Sequence, residues 1–307
     1  MSEIAIKFRH LTTLIEVARQ KSIGKAAGVL HVSQPAVTKT IRELEAAVDA
    51  KLFERDGRGI RITRYGEVFL RHAGASVAAV QRGFDSVARA RGGDGGPPLR
   101  LGALPTVSAR IMPNAIRLYI SERTGSPIKI VTGENIVLLE QLRGGDLDLV
   151  VGRLAAPEQM GGLSFQHLYT EQVVFVVRKG HPLLAAKRFE FARIREFPVL
   201  MPTRGSIIRP FAERFLISHG IPDIPVEIET VSDSFGRAFL PQSDAIWIIS
   251  EGVIATDRAA GVLDLLPIDT TETRGSVGLT TRAEAPEFPA LDILKRTIFE
   301  TVAGLGL

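Results

Sequence analysis

Four side chains, Gln34, Thr38, Lys39 and Arg42, fall on the outward face of one amphipathic segment. An amide, a hydroxyl, an ammonium and a guanidinium in that arrangement are the groups that hydrogen-bond base edges and neutralise phosphates. Arg55, Arg58 and Arg61 recur at every third position around Asp56-Gly57-Arg58-Gly59. Arginines on a short hairpin suit phosphates or a minor groove. A second polar set lies in loops farther on: Thr106 and Ser108, Glu134-Asn135, Thr203-Arg204-Gly205-Ser206, and Ser232. Hydroxyls at helix starts suit an anion, and Arg204 adds a fork for a carboxylate. Each hydroxyl also fits a purely structural helix cap. Covalent catalysis finds no constellation. Gly205-Ser206 is not part of a Gly-x-Ser-x-Gly elbow, and the six histidines contain no His-x-x-x-His pair. Asp146 and Asp148 alternate with Leu147 and Leu149, which marks a strand edge. No cysteine is present, so disulfides, thiolate metal sites and thiol switches are excluded.

The first set needs a helix to carry it. Phe8, Leu11, Ile15 and Ala18 repeat with helical spacing. Ser22 caps a short second helix at 23–30 that contains Ala26-Ala27. Ser33 caps a third, with Pro35 in its first turn. Val37, Ile41, Leu44 and Val48 turn inward on it, leaving Gln34, Thr38, Lys39 and Arg42 outside. Strands at 52–55 and 60–63 around the glycine turn form a hairpin. Two helices, a tight turn, a polar-faced recognition helix and an arginine-studded wing make a winged helix-turn-helix. The competing reading is a generic three-helix bundle with a solvated face, kept open by the nearby Glu43 and Glu45. After Thr63 a long helix reaches about residue 91. Leu70, Ala73, Val77, Val80, Phe84 and Val87 follow a 3-4-3-4-3 spacing along it, the pattern of a coiled-coil dimer.

The segment 91–98 holds four glycines and two prolines and ends that helix. Charge divides there. Residues 1–91 carry 16 Lys and Arg against 9 Asp and Glu, net +7, whereas residues 92–307 carry 22 against 25, net −3. A basic head points to a polyanion, most often nucleic acid. Apolar runs are strand-sized and no leader peptide stands at the N-terminus, so the expectation is a soluble cytoplasmic protein. Beyond the hinge, strands alternate with helices: strand 99–104, helix 107–123, strand 128–132, helix 136–143, strand 147–151. A second set begins at 171. This rhythm implies a mostly parallel, doubly wound sheet in each of two lobes, with ligands beyond the carboxyl ends of the strands.

These residues resemble the LysR-type transcriptional regulators. The likeness rests on Phe8-Arg9-His10-Leu11, Ser22-Ile23-x-x-Ala26-Ala27, Ser33-Gln34-Pro35-Ala36-Val37-Thr38 and Ile41-x-x-Leu44-Glu45 in the head. It continues with Leu52-Phe53-Glu54-Arg55, Thr63-x-x-Gly66, Leu142-x-x-Gly145-x-Leu147-Asp148 and His181-Pro182-Leu183. The resemblance implies a winged helix-turn-helix at 1–63, a linker and dimerisation helix at 64–91 and a hinge at 92–98. It also implies a periplasmic-binding-protein-like effector domain at 99–307, its lobes near 99–167 plus 268–307 and near 168–267. The implied partners are an interrupted palindrome in double-stranded DNA near a promoter, a second copy or a dimer of dimers, RNA polymerase, and a small co-inducer, with no membrane and no cofactor. Ser33, Gln34, Pro35, Thr38, Lys39, Arg42, Arg55, Arg58 and Arg61 become the DNA-contacting set. Lys39 stands where many members carry arginine and offers a point charge instead of a fork. By similarity Thr106, Asn135 and Pro202–Arg204 match the inducer positions, with Ser108, Ser206 and Ser232 beside them. Residues 32–45, 52–75 and 201–215 more narrowly resemble the family's regulators of protocatechuate catabolism, which answer to a carboxylated muconate. A sugar-responsive subgroup is the alternative, and an α/β solute-binding protein or enzyme the remote one.

Overall fold

The computed structural model describes residues 6–57, 59–90, 98–186, 188–283 and 289–307, with only the backbone at 82, 85, 86 and 88–90. Arg58 and hinge residues 91–97 lie outside the described residues. The head comprises α1 (Phe8–Gln20), α2 (Ile23–Val29), α3 (Gln34–Val48), β1 (Phe53–Asp56) and β2 (Gly59–Ile62). Ser22 Oγ accepts from the Lys25 amide, and Ser33 Oγ from the Ala36 amide. Each satisfies a donor that a helix start leaves open. Leu14, Val17, Ala26, Val37, Ile41 and Leu44 meet in one core.

Two contacts fix the angle between α3 and the β1–β2 wing. The buried Glu45 carboxylate accepts from the Leu52 and Phe53 amides and, at 2.7 Å, from Lys51 Nζ. Thr63 Oγ1 donates to the Lys51 carbonyl at 2.6 Å and accepts from the Gly66 amide at 3.1 Å. A Cβ on Gly66 would collide with the Leu52 carbonyl oxygen, so this close approach requires glycine. Glu45 is thus a bracket within the fold, and Glu43 is held by His10 at 3.1 Å and Arg9 at 3.3 Å.

The linker helix α4 (Arg64–Ala90) has 27 residues and so a length of roughly 40 Å. The sixfold dimerisation stripe expected along it divides in two. Ala73 is buried in the head's own core and Leu70 packs against that core. Val77 is half-buried, while Val80, Phe84 and Val87 are 42%, 68% and 60% exposed. The first turns of α4 cover the bundle below them with Leu70 and Ala73, and of this stripe only the outer members keep an apolar face toward solvent.

The effector domain continues with β3 (Leu99–Ala103), α5 (Pro105–Arg110), α6 (Met112–Ser121), β4 (Ile128–Thr132), α7 (Asn135–Gly144), β5 (Leu149–Arg153), β6 (Leu163–Glu171) and β7 (Val173–Arg178). Next come α8 (Pro182–Ala185), β8 (Val199–Met201), α9 (Arg209–Ser218), β9 (Glu227–Glu229), α10 (Asp233–Phe239), β10 (Ile246–Ser250), α11 (Ala255–Ala259), β11 (Leu263–Leu265), β12 (Gly275–Arg282) and α12 (Pro289–Gly304). Lobe I orders its strands β4-β3-β5-β12-β6, and lobe II β11-β7-β10-β8-β9. The expected mostly parallel sheets are mixed. β4, β3 and β5 are parallel, as are β10, β8 and β9, but β12 and β6 in one lobe and β7 and β11 in the other pair antiparallel. β6 runs to Glu171, so the first crossing lies at Gln172, past the expected residue 167. The expected helix 107–123 is two helices. Pro113 stands in the first turn of α6 and the break falls at Ile111. The strand expected at 147–151 runs from Leu149 to Arg153. Asp146 and Asp148 therefore precede it, and Asp148 accepts from the Arg100 amide at 3.0 Å.

Lobe I is covered on both faces. α6 and α12 contribute to one apolar cluster, and Leu138, Leu139 and Leu142 of α7 to another. The far end of α7 docks on α4. A Cβ on Gly74 would overlap the Arg143 carbonyl oxygen, and Gly145, at φ +83, sits against Ala78.

Candidate functional site

Two surfaces carry the polar residues singled out by sequence. The first is α3. Gln34, Pro35, Lys39 and Arg42 are exposed and Thr38 half-exposed, and together with Glu43 and Ala46 they border a shallow concavity along the helix. Ser33 Oγ accepts from the Ala36 amide at 3.4 Å as the α3 cap and keeps its hydroxyl hydrogen to give. Thr38 Oγ1 donates to the Gln34 carbonyl at 3.0 Å, so its oxygen lone pairs face outward as acceptors. On the wing Arg55 is exposed, and Arg61 is paired across the strands with Glu54 at 2.7 Å.

The second surface is a cavity of about 330 Å³ between the lobes. Loops after β3, β4 and β5 line one wall, and loops after β8, β9 and β10 the other, so it lies at the carboxyl ends of the parallel strands. Thr106, Ser108, Asn135, Pro202, Ser206 and Ser232 all line it. Thr203 and Arg204 do not. Thr203 Oγ1 donates to Glu134 at 3.1 Å across the cleft. Arg204 is 86% exposed and stands 3.5 Å from Glu229. The arginine that shapes that loop is the buried Arg209, which donates to the Pro202 carbonyl at 2.8 Å and pairs with Glu213 and Glu227. Ser232 accepts from the Phe235 amide as the α10 cap.

Sequence reasoning missed the cavity's cation. Arg153 closes β5 and is 3% exposed. Its Nη2 donates to the Thr273 carbonyl, and its guanidinium carbon lies 4.2 Å from the centre of the Phe211 ring. Among the described residues its Nε and Nη1 have no partner, nor does Nδ2 of the 4%-exposed Asn135. Burial pulls the Arg153 pKa down and the Glu171 carboxylate opposes this. Buried polar groups are ordinarily satisfied, so unused donors on two residues that line the cavity wall mark a place where acceptors belong. The signal was available: Arg153 closely follows the apolar run Leu149-Val150-Val151, at a strand's carboxyl end. Among the described residues no group of His, Asp and Glu could hold a metal ion. No helix there is long and apolar enough to cross a membrane.

A winged helix-turn-helix joined to a two-lobed α/β domain defines a class. Residues 8–67 match the bacterial regulatory helix-turn-helix protein, lysR family, and residues 92–302 the LysR substrate binding domain. The chain belongs to the LysR family of DNA-binding transcriptional regulators. It is 61% identical over 305 residues to the HTH-type transcriptional regulator PcaQ of Agrobacterium fabrum, covering 99% of this chain and 98% of that one. Full-length LysG of Corynebacterium glutamicum with bound effector Arg shares the fold at TM-score 0.61 and 19% identity, covering 97% and 99% of the two chains. A full-length variant of OxyR from Pseudomonas aeruginosa does so at 0.60 and 21%, covering 95% and 94%.

Proposed function

We propose that this regulator activates genes of protocatechuate catabolism in the cytoplasm, in response to a small carboxylated metabolite of that pathway held in the inter-lobe cavity. The observation that carries the reading is Arg153. A buried guanidinium with two unpartnered nitrogens is costly in isolation and becomes favourable when a carboxylate accepts from it. Asn135 adds an amide and Ser206 a hydroxyl along the wall, while the Ser108 hydroxyl donates to the Ala103 carbonyl at 3.4 Å. The likeness to PcaQ supports the pathway. The sugar-responsive alternative needs acceptors, and Glu134 and Asp233 on the cavity wall keep lone pairs beside the bonds they accept from Thr203 and, at 3.0 Å, Arg237, so it stands as the second reading. No cofactor enters this scheme. The co-inducer is the only small molecule, and RNA polymerase is the partner that reads the result.

A thermal-shift panel of carboxymuconate, related aromatic-pathway acids and sugars tests this. A ligand that binds only the folded state stabilises it by about 2.7 kcal/mol at a hundred times its Kd. Carboxymuconate is expected to raise the melting temperature of the wild type. Arg153→Gln is expected to weaken that binding by roughly 10- to 100-fold, the loss of a charge-assisted hydrogen bond worth about 1.5–3 kcal/mol. The exposed Arg204→Ala is the control and is expected to leave affinity unchanged. Stabilisation by sugars alone, or undiminished carboxylate binding by Arg153→Gln, would sink the reading.

A further inference from the structure

Glu171 ends β6 at the crossing between the lobes and is 4% exposed. Thr106 Oγ1 donates to its carboxylate at 2.7 Å, and the Gly252 amide donates at 2.7 Å. One side chain therefore ties the start of α5 in lobe I to the 251–254 turn of lobe II. The groups facing it are Thr106 and Arg110 from α5, Arg153 from β5, the Gly252 amide, and Tyr169 from its own strand. Arg153 and Arg110 are the positive charges among them. Arg153 makes no hydrogen bond to Glu171 and balances it through the field alone.

We propose that Glu171 is the internal counter-ion of Arg153, and that a carboxylate ligand enters the cavity together with one solvent proton, which Glu171 takes up. This rests on the carboxylate reading of the cavity. A second carboxylate brought into a low-dielectric site disfavours the ionised form of the first, and of the two cations facing Glu171 only Arg153 is buried. The ligand's carboxylate is the one kept ionised, because the wall that receives it carries the Arg153 guanidinium and the Asn135 amide. Glu171 is the one that yields. Burial already pushes its carboxyl above the usual carboxylate range, against the Thr106 and Gly252 hydrogen bonds and the two arginines. A protonated Glu171 still accepts from the Gly252 amide. Its new O–H donates to Thr106 Oγ1, which reverses that hydrogen bond and frees the Thr106 hydroxyl hydrogen for the ligand. Glu171 is thus a positioning residue that sets whether Thr106 meets the ligand as acceptor or donor.

The ligand's negative charge raises the Glu171 pKa further, so binding consumes a proton and strengthens as pH falls between the ligand-free and liganded values. Calorimetric titration with carboxymuconate in two buffers of different ionisation enthalpy, from about pH 6 to 9 where the probe is fully ionised, reads this directly. Uptake approaching one proton per ligand is expected, with affinity changing up to about tenfold per pH unit. Glu171→Gln keeps the acceptor and is expected to bind without proton uptake, with pH-independent affinity. Binding by the wild type with no proton uptake across the range overturns the proposal, and this arm stands even if the variant fails to fold. Equal uptake by Glu171→Gln overturns it as well. Absence of binding at any pH would instead remove the carboxylate reading beneath it.

Discussion

At the scale of single residues, what decides function is whether a polar group is already spent. Thr203 gives its hydroxyl hydrogen to Glu134, whereas Ser33 and Ser232 accept as helix caps and each keep a hydroxyl hydrogen to give. Arg42 differs: it is exposed on α3, one helical turn beyond Thr38, with Lys39 beside it. Arg42→Ala is expected to weaken operator binding by about tenfold or more, since a good base contact discriminates by about 1–3 kcal/mol. Mobility-shift titrations at several salt concentrations check this. A contact with phosphate instead of a base would lower the salt slope by about one and weaken all sequences alike. The outward face of α3 was legible because helical spacing separates it from the buried Val37, Ile41 and Leu44. The cavity's cation was not. Arg204 looked better in sequence because a loop arginine reads as available, whereas Arg153 reads as the end of a buried strand. Only the fold shows that the strand ends in the cavity and that two of its arginine's nitrogens lack partners among the described residues.

At the scale of elements, the signals that held were strong periodicities. β7 and β10 are continuous apolar runs, legible in the sequence as Val173–Val177 and Ala245–Ile249. β6 was not, because its burial pattern is irregular and polar Ser164, Gln166 and His167 face outward. The break between α5 and α6 hid inside one apolar period. Thr63-x-x-Gly66 shows what a motif can stand for: a cap, a hydroxyl bridge and a glycine that lets α4 touch the strand before the wing. Gly66→Val is expected to destabilise the head by about 1–3 kcal/mol through overpacking. It is also expected to cost DNA affinity, because the wing loses its set angle to α3. Thermal melts and operator titrations on the same variant check the pair. A variant that melts like the wild type would show that the Leu52 carbonyl can move aside.

At the scale of the whole molecule, charge and apolar surface are distributed by task. The DNA-reading head carries the excess of +7 and the sensor domain the −3. The outer half of α4 presents Val80, Phe84 and Val87 to solvent. An apolar helix face of that kind suits an association surface, and we propose that two copies of the regulator meet through it. Phe84→Glu is expected to shift the protein toward monomer at micromolar concentration in light scattering, with the inner residues Leu70 and Ala73 still packed and the fold intact. Retention of the wild-type mass would move the dimer interface elsewhere. In lobe I, β12 lies between β5 and β6, yet follows every strand of lobe II in the sequence. During synthesis lobe II has all its strands once Leu265 is made, while lobe I still waits with the edges of β5 and β6 unpaired. The inter-lobe cavity therefore forms last. A nascent regulator has a finished DNA-reading head well before it has a finished sensor, and a chain cut short before residue 275 would keep the first without the second.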